Sequence, residues 1–370
     1  MKKRVVISAI NLFEGGTLSV LKDCLLSVDH SSVFEGYEFL ALVHNKKLFA
    51  GCSYTRVKFV EFPKSRKSYV FRLYYEYFYF KKFAKKNKID FWLSMHDMSP
   101  NIGTIPQAVY CHNPTPFNKI ASFKILLQPT VFFFTLFYSY LYRINIKRNK
   151  YVIVQQLWIK EAFIKMFRLE SAKVIVAKPQ EPKLANNFVI KELASVEKVF
   201  VFPTFPRTFK NIEVIGEATK ILNDSGITNF SVIVTVDGSE NSYSKQICNK
   251  FEGIYSMRFI GLQSREKIIE WYERSDCLIF PSKLETWGLP ISEYKQFNKP
   301  MLVADLPYAR ETVGNYNKVK FFDVENSEML SNYMKQIIFQ NSIIFDNTKS
   351  IVYPKPYAEN WEELLQLLLN

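Results

Sequence analysis

CLIFPSKLETWGLPISE, residues 277–293, passes from an apolar run through a short loop into the start of a helix. Cys277 to Phe280 have the length and hydrophobicity of a buried strand, and Pro281-Ser282 ends it. Pro290 suits a first helical turn, where its missing N–H costs nothing. Gly288 lets a ligand approach the backbone, and the helix start at Gly288-Leu289-Pro290 presents N–H groups and a positive dipole end to an anion. Glu285 before the helix and Glu293 inside it flank that place, eight residues apart.

The same strand-then-helix unit recurs on both sides. Upstream in this half stand KVFVFP, FSVIVTV and MRFIG, and downstream PMLVAD, with helix-like segments at 211–222 and 264–274 between them. The first half repeats the pattern with RVVISAI, YEFLALVH, VKFVEF, DFWLSM, QAVYCH, YVIVQQ and KVIVA. Alternation of this kind predicts parallel sheets covered by helices on both faces, an α/β class. At 370 residues the chain exceeds one ordinary core, so two doubly wound, Rossmann-like domains with a cleft between them are expected.

Other residues capable of chemistry cluster at strand ends, where open α/β sheets hold their ligands. FPTFPRTFKN (202–211) offers Arg207 as a fork and Lys210 as a point charge for phosphate. Turns after strands place Gly238 in VDG, and Gly261 with Leu262 in RFIGL; each glycine read alone is better explained by a plain turn. In the first half, NLFEGGT (11–17) supplies Gly15 and Gly16, while His96-Asp97 and YCHNP (110–114), with His112 and Asn113, follow apolar strands. A structural role competes with a functional one for His96 and Asp97.

Glu285 and Glu293 at the E-x7-E spacing, with Gly288-Leu289-Pro290 between them and a strand ending in Pro-Ser before them, resemble the donor site of retaining GT-B glycosyltransferases. These are the group 1, or family 4, type found in O-antigen, capsule and lipopolysaccharide synthesis. The resemblance is good over residues 200 to 325 and looser over 1 to 200. It implies a GT-B fold and a hexose or deoxyhexose moved from a nucleotide-diphosphate sugar to a polyprenyl-diphosphate-linked saccharide, with retention. It further implies Glu285 against the donor sugar, Glu293 on the ribose, Arg207 and Lys210 on the diphosphate, and His112 near the sugar hydroxyls. Gly238, Gly261, Leu262, Gly15 and Gly16 would line the donor pocket, and His96, Asp97 and Asn113 are candidates for the acceptor. Expected boundaries are 1–195 for an acceptor domain, 196–352 for a donor domain, and 353–370 for a C-terminal helix returning to the first. A GT-B phosphorylase or epimerase shares this plan and is a rival reading.

Composition frames the rest. Residues 1–200 carry 31 Lys and Arg against 14 Asp and Glu, whereas 201–370 carry 18 against 21. Within the first half, 51–150 hold 17 basic and 4 acidic residues. Such a field attracts anionic membrane, nucleic acid or phosphorylated substrate, so a non-catalytic membrane- or nucleic-acid-binding protein is a second rival. The basic residues are interleaved with Tyr and Phe and match no nucleic-acid reader motif, so no nucleic-acid partner is expected. Aromatic bodies beside basic heads suit an anionic bilayer surface. The stretch 69–88 has that character, and the uncharged run 125–142 only marginally reaches the length of a span. Both read equally well as core helices. Five scattered cysteines form no zinc pattern, and no D-x-D triplet occurs, so no metal and no cofactor beyond the nucleotide sugar are expected. With reduced thiols and no signal peptide in MKKRVVISAI, the expected location is cytoplasmic, peripheral at the inner face of the membrane.

Overall fold

Parallel strands covered on both faces are apolar along their whole length, and the central strands here are buried along theirs. β1 (Lys3–Ser8), β2 (Tyr37–Val43), β3 (Val57–Glu61), β4 (Phe91–Ser94), β5 (Gln107–Tyr110), β6 (Tyr151–Val154) and β7 (Val174–Ala177) come from the first half of the chain. They are followed by β8 (Lys198–Phe202), β9 (Phe230–Val234), β10 (Met257–Phe259), β11 (Cys277–Phe280), β12 (Met301–Ala304), β13 (Val319–Phe322) and β14 (Tyr357–Ala358). In β4, β5, β7, β9, β11 and β12 every residue is buried, as expected for strands with helices on both sides. The computed structural model describes residues 2–51, 53–117, 129–179, 197–339 and 343–370.

Two all-parallel sheets result. Their orders are β14-β7-β6-β5-β4-β1-β2-β3 and β10-β9-β8-β11-β12-β13 among the described residues. Each is a doubly wound sheet that reverses its direction of growth once, between β1 and β4 in the first and between β8 and β11 in the second. The chain divides into two compact units: Met1–Asn113 with Phe137–Gln180 and Val352–Asn370, and Pro114–Leu136 with Glu181–Ile351. The boundary expected at 195/196 falls outside the described residues.

The helices are α1 (Gly15–His30), α2 (Tyr69–Tyr74), α3 (Phe80–Lys86), α4 (Pro129–Arg143), α5 (Leu157–Phe167), α6 (Ile212–Asp224), α7 (Ser242–Lys250) and α8 (Arg265–Arg274). The remainder are α9 (Leu289–Lys295), α10 (Pro307–Val313), α11 (Ser327–Ile338) and α12 (Trp361–Leu369). A π-helical turn over Tyr75–Tyr79 joins α2 to α3. Side-chain caps set several starts: Asn241 and Ser244 form a capping box on α7, and Ser264 accepts from Lys267 N on α8.

The C-terminal helix expected within 353–370 is shorter than that segment. Tyr357 and Ala358 pair with Val176 and Ala177 as an edge strand, and the helix begins only at Trp361, where the Asn360 side chain accepts from Glu363 N. Its inner face, Trp361, Leu364, Leu365 and Leu368, shares one buried cluster with Leu21, Cys24 and Leu25 of α1 and with Val5 and Ile7 of β1. β13 was not anticipated, because VKFF is short and Lys320 interrupts its apolar run.

In the second unit, α6 packs so closely that Gly216 has no room for a side chain. A Cβ there would lie 2.4 Å from the ring of Phe251, which is itself buried and unable to swing out. Gly216→Ala is expected to destabilise by about 1–2 kcal/mol, overpacking strain exceeding the ~1 kcal/mol that alanine gains in helix propensity. A lowered denaturant midpoint with an unchanged m-value is the check.

Candidate active site

The second sheet grows from β8 outward through β9 and β10, then starts again at β11 and grows the other way. At such a reversal, the loops leaving the two central strands diverge and open a crevice at the carboxyl edge. The segments 203–211 and 281–288 are those two loops. They are fastened together: Lys283 N donates to Phe209 O at 2.7 Å, and the Asn211 side chain donates to Pro281 O at 3.4 Å. Asn211 takes the left-handed conformation, φ 58°, which asparagine tolerates better than most residues.

Lys210 and Glu285 meet across this crevice as an ion pair, Nζ on Oε1, with both side chains largely buried. The Lys210 ammonium also lies 5.8 Å from the centre of the Phe280 ring, at the end of β11. Arg207 stacks on Phe205 at 4.9 Å and has no carboxylate partner among the described residues; burial pushes its pKa below the ordinary arginine value. The loop therefore carries one paired cation and one unpaired cation at the same sheet edge.

Gly288 precedes α9 with φ 88°, a conformation that disfavours any side chain, and a Cβ there would press on Ile291 and Phe280 at 3.3 and 3.4 Å. Leu289 and Pro290 open the helix as the sequence suggested. α9 is only seven residues long, so its dipole is a small contribution beside the two cations. Glu293, four residues into α9, is enclosed. Its carboxylate accepts from the Tyr272 hydroxyl at 3.1 Å and pairs with Arg265 at 3.2 Å. Burial raises its pKa above the usual 4.5, and Arg265 and Tyr272 offset part of that rise.

The two glycine turns come together. A Cβ on Gly261 would lie 2.7 Å from Asp237 Oδ2, so the turn after β10 sits against the turn after β9. Gly238, φ 91°, and Asp237 both donate their backbone N–H groups to the Glu240 carboxylate, at 3.1 and 3.0 Å. Leu262 beside them is more than half exposed.

In the first unit, β1 and β4 bracket the reversal. Gly15 adopts φ 63° at the start of α1, with open space around it and Gly16 next in line. His96 and Asp97 follow β4 but are turned inward. His96 Nε2 lies 2.6 Å from Glu76 Oε1, both groups being essentially inaccessible, and the Arg72 guanidinium donates to the His96 carbonyl at 2.9 Å. Asp97, φ 69°, accepts from the backbone N–H groups of His112 and Asn113 and from the hydroxyls of Tyr138 and Tyr142. These contacts make His96 and Asp97 parts of the scaffold that holds the strand ends. His112 differs. Its ring stacks on Tyr110, a hydrogen bond to the Met95 backbone occupies one ring nitrogen, and Nε2 is buried with no partner. Burial lowers its pKa below 6.5, so the ring is neutral at physiological pH and Nε2 is an acceptor.

Residues 186–350 match the family model described as glycosyl transferases group 1. The matched segment contains Arg207, Lys210, Glu285 and Glu293, so the loops at the β8–β11 reversal lie within it. Over 217 residues the chain is 24% identical to the O-antigen chain mannosyltransferase RfbU of Salmonella typhimurium, covering 57% of each chain. The chain thus spans little more than half the length of that relative. Among solved structures it is similar to WaaG, a glycosyltransferase involved in lipopolysaccharide biosynthesis, with TM-score 0.64, 13% identity and coverage of 91% of this chain and 90% of the other. It is also similar to Anabaena Alr3699/HepE in complex with UDP-glucose, with TM-score 0.63, 14% identity and the same coverage. These likenesses are of fold, and the fold is GT-B.

Three contributors to the crevice escaped the sequence reading. Arg265 and Tyr272 approach Glu293 from α8, and Glu240 closes the turn at Gly238. A buried glutamate in a helix needs a cation or donor nearby, so the burial of Glu293 would have prompted a search for one. The partner's position depends on how α8 and α9 pack, which local spacing does not encode.

Proposed function

We propose that the chain transfers a hexose or deoxyhexose from a nucleotide-diphosphate sugar to a saccharide acceptor, with retention, in bacterial surface polysaccharide synthesis. The observation that carries this reading is the Lys210–Glu285 pair at the β8–β11 reversal, with unpaired Arg207 on the same loop and buried Glu293 on the helix that follows. A relative of like fold holds UDP-glucose, and the sequence relative is an O-antigen chain mannosyltransferase, which favours a nucleotide-sugar donor.

On this reading Arg207 and Lys210 take the diphosphate, Glu293 accepts from the ribose hydroxyls, and Glu285 faces the sugar. As the glycosidic bond to phosphate breaks, negative charge grows on the diphosphate and positive charge on the anomeric carbon. Fixed cations and a fixed carboxylate already oriented toward those charges stabilise the transition state without reorganisation. The acceptor hydroxyl attacks on the face the diphosphate leaves, and the departing phosphate oxygen takes its proton, so no protein base is needed. His112, neutral with Nε2 open, accepts a hydrogen bond from a sugar hydroxyl. The countercharge of the two cations makes a divalent metal unnecessary. The anomeric configuration of the product tests retention. Calorimetric titration with UDP, GDP, dTDP and ADP in the absence of metal tests the donor site, and no binding of any of the four would remove it.

The acceptor is proposed to be lipid-linked, presented at the cytoplasmic face of a membrane. Tyr69, Val70, Tyr74 and Phe78 are 50–74% exposed on α2 and the π-helical turn, immediately before Lys81, Lys82, Lys85 and Lys86. No helix among the described residues is long and apolar enough to cross a membrane, and surface contact is the mode this stretch supports. Co-sedimentation with phosphatidylglycerol vesicles is expected, weakened about tenfold or more in a Val70→Ser/Phe78→Ser variant through lost apolar burial. Equal binding by that variant would exclude this face.

A further inference from the structure

Lys160 is a lysine where an apolar residue would be expected. It lies on the inward face of α5 with Phe163 and Phe167, is 3% exposed, and its ammonium has no hydrogen-bond partner. No carboxylate among the described residues pairs with it, and burial pushes its pKa down. Burying an ammonium without a partner is unfavourable, and an arriving anion removes that penalty.

Its position indicates where the anion would sit. α5 follows β6, so its first turns lie at the carboxyl edge of the first sheet, the ligand edge of an open α/β sheet. One turn further along the same face, Phe163 packs on Tyr142 at 5.1 Å, and the Tyr142 hydroxyl donates to Asp97 at 2.9 Å and lies 3.1 Å from the Asn113 carbonyl. Asn113 adjoins His112, whose buried Nε2 also lacks a partner. Two unsatisfied nitrogens, a donor on α5 and an acceptor beside β5, therefore belong to the same edge of one unit.

We infer that Lys160 is the cation of an anion-binding subsite in the first unit, separate from Arg207 and Lys210, and that it takes a phosphate or diphosphate group. The assignment of that group to the acceptor rests on the transferase reading; the binding of an anion at Lys160 does not. The test uses the full chain with its nucleotide site saturated by whichever nucleoside diphosphate binds, so that added pyrophosphate reports only on a second site. Pyrophosphate is expected to bind and raise the melting temperature of the wild type. Lys160→Met is expected to start at an equal or higher melting temperature, to keep its nucleotide affinity, and to bind pyrophosphate about 10- to 100-fold more weakly, the loss of a charge-assisted contact. Pyrophosphate that fails to bind the saturated wild type, or binds the variant equally well, overturns the subsite. Should the methionine variant not fold, Lys160→Gln and the 13Cε-lysine spectrum of the wild type take its place. A resonance absent from Lys160→Gln that moves with pyrophosphate supports the subsite, and one that stays fixed refutes it. Failure of every nucleotide with pyrophosphate binding intact would sink the donor reading and leave Lys160 standing.

Discussion

Lys210→Met is expected to lower kcat/KM by about 10²–10³-fold, most of it in kcat, because the cation is needed most when the diphosphate carries its full leaving charge. Methionine keeps the length and apolar body of the stem against Phe280 but removes the charge. It also leaves Glu285, a largely buried carboxylate, without its partner. The variant is therefore expected to be less stable as well, and the two losses separate under measurement. Nucleotide diphosphate affinity falls modestly, since Arg207 remains, while single-turnover transfer slows by the larger factor. A variant that transfers at the wild-type rate from saturating donor would remove Lys210 from the mechanism.

Glu293→Gln is expected to move stability and binding in opposite directions. The carboxyl's pKa is raised in the folded protein by burial, so the fold prefers its protonated form. For a group shifted this way, the stabilising contribution is complete below the unfolded value near 4.5 and is lost as pH rises through the folded value. Above that window the wild type holds a buried charge that glutamine lacks, and the variant is expected to be at least as stable as the wild type at pH 7. Its advantage should vanish below about pH 4.5, where both side chains are neutral. Nucleotide diphosphate binding should weaken about 10- to 100-fold, two charge-assisted hydrogen bonds to the ribose becoming ordinary ones. Calorimetry and thermal melts across pH 4 to 8 test both halves. A variant that binds as tightly as the wild type would place the ribose elsewhere.

The twelve strands read from apolar runs all formed, because a parallel strand covered on both faces must be apolar throughout and so declares itself locally. The segments 277–293 and 202–211 were legible for a related reason: proline, glycine and charge at the end of a strand have few other uses. What escaped depends on packing. The seat of Glu293 needed Arg265 and Tyr272 from another helix, and the inward turn of His96 needed Glu76 from a π-helical segment. Spacing along the chain placed His96 at a ligand edge, yet a buried carboxylate twenty residues upstream claimed its ring.

The edge strand β14 and helix α12 belong to the first unit although they are made after all of the second. During synthesis, the hydrophobic cluster under α1 stays open until Trp361 to Leu368 have left the ribosome, whereas the second unit already has all its strands by Phe322. The usual order, in which the N-terminal domain folds first, is thereby inverted for completion. The half of the chain richest in basic and aromatic residues is the one that waits, with its apolar surface uncovered, for the last residues of the sequence to arrive.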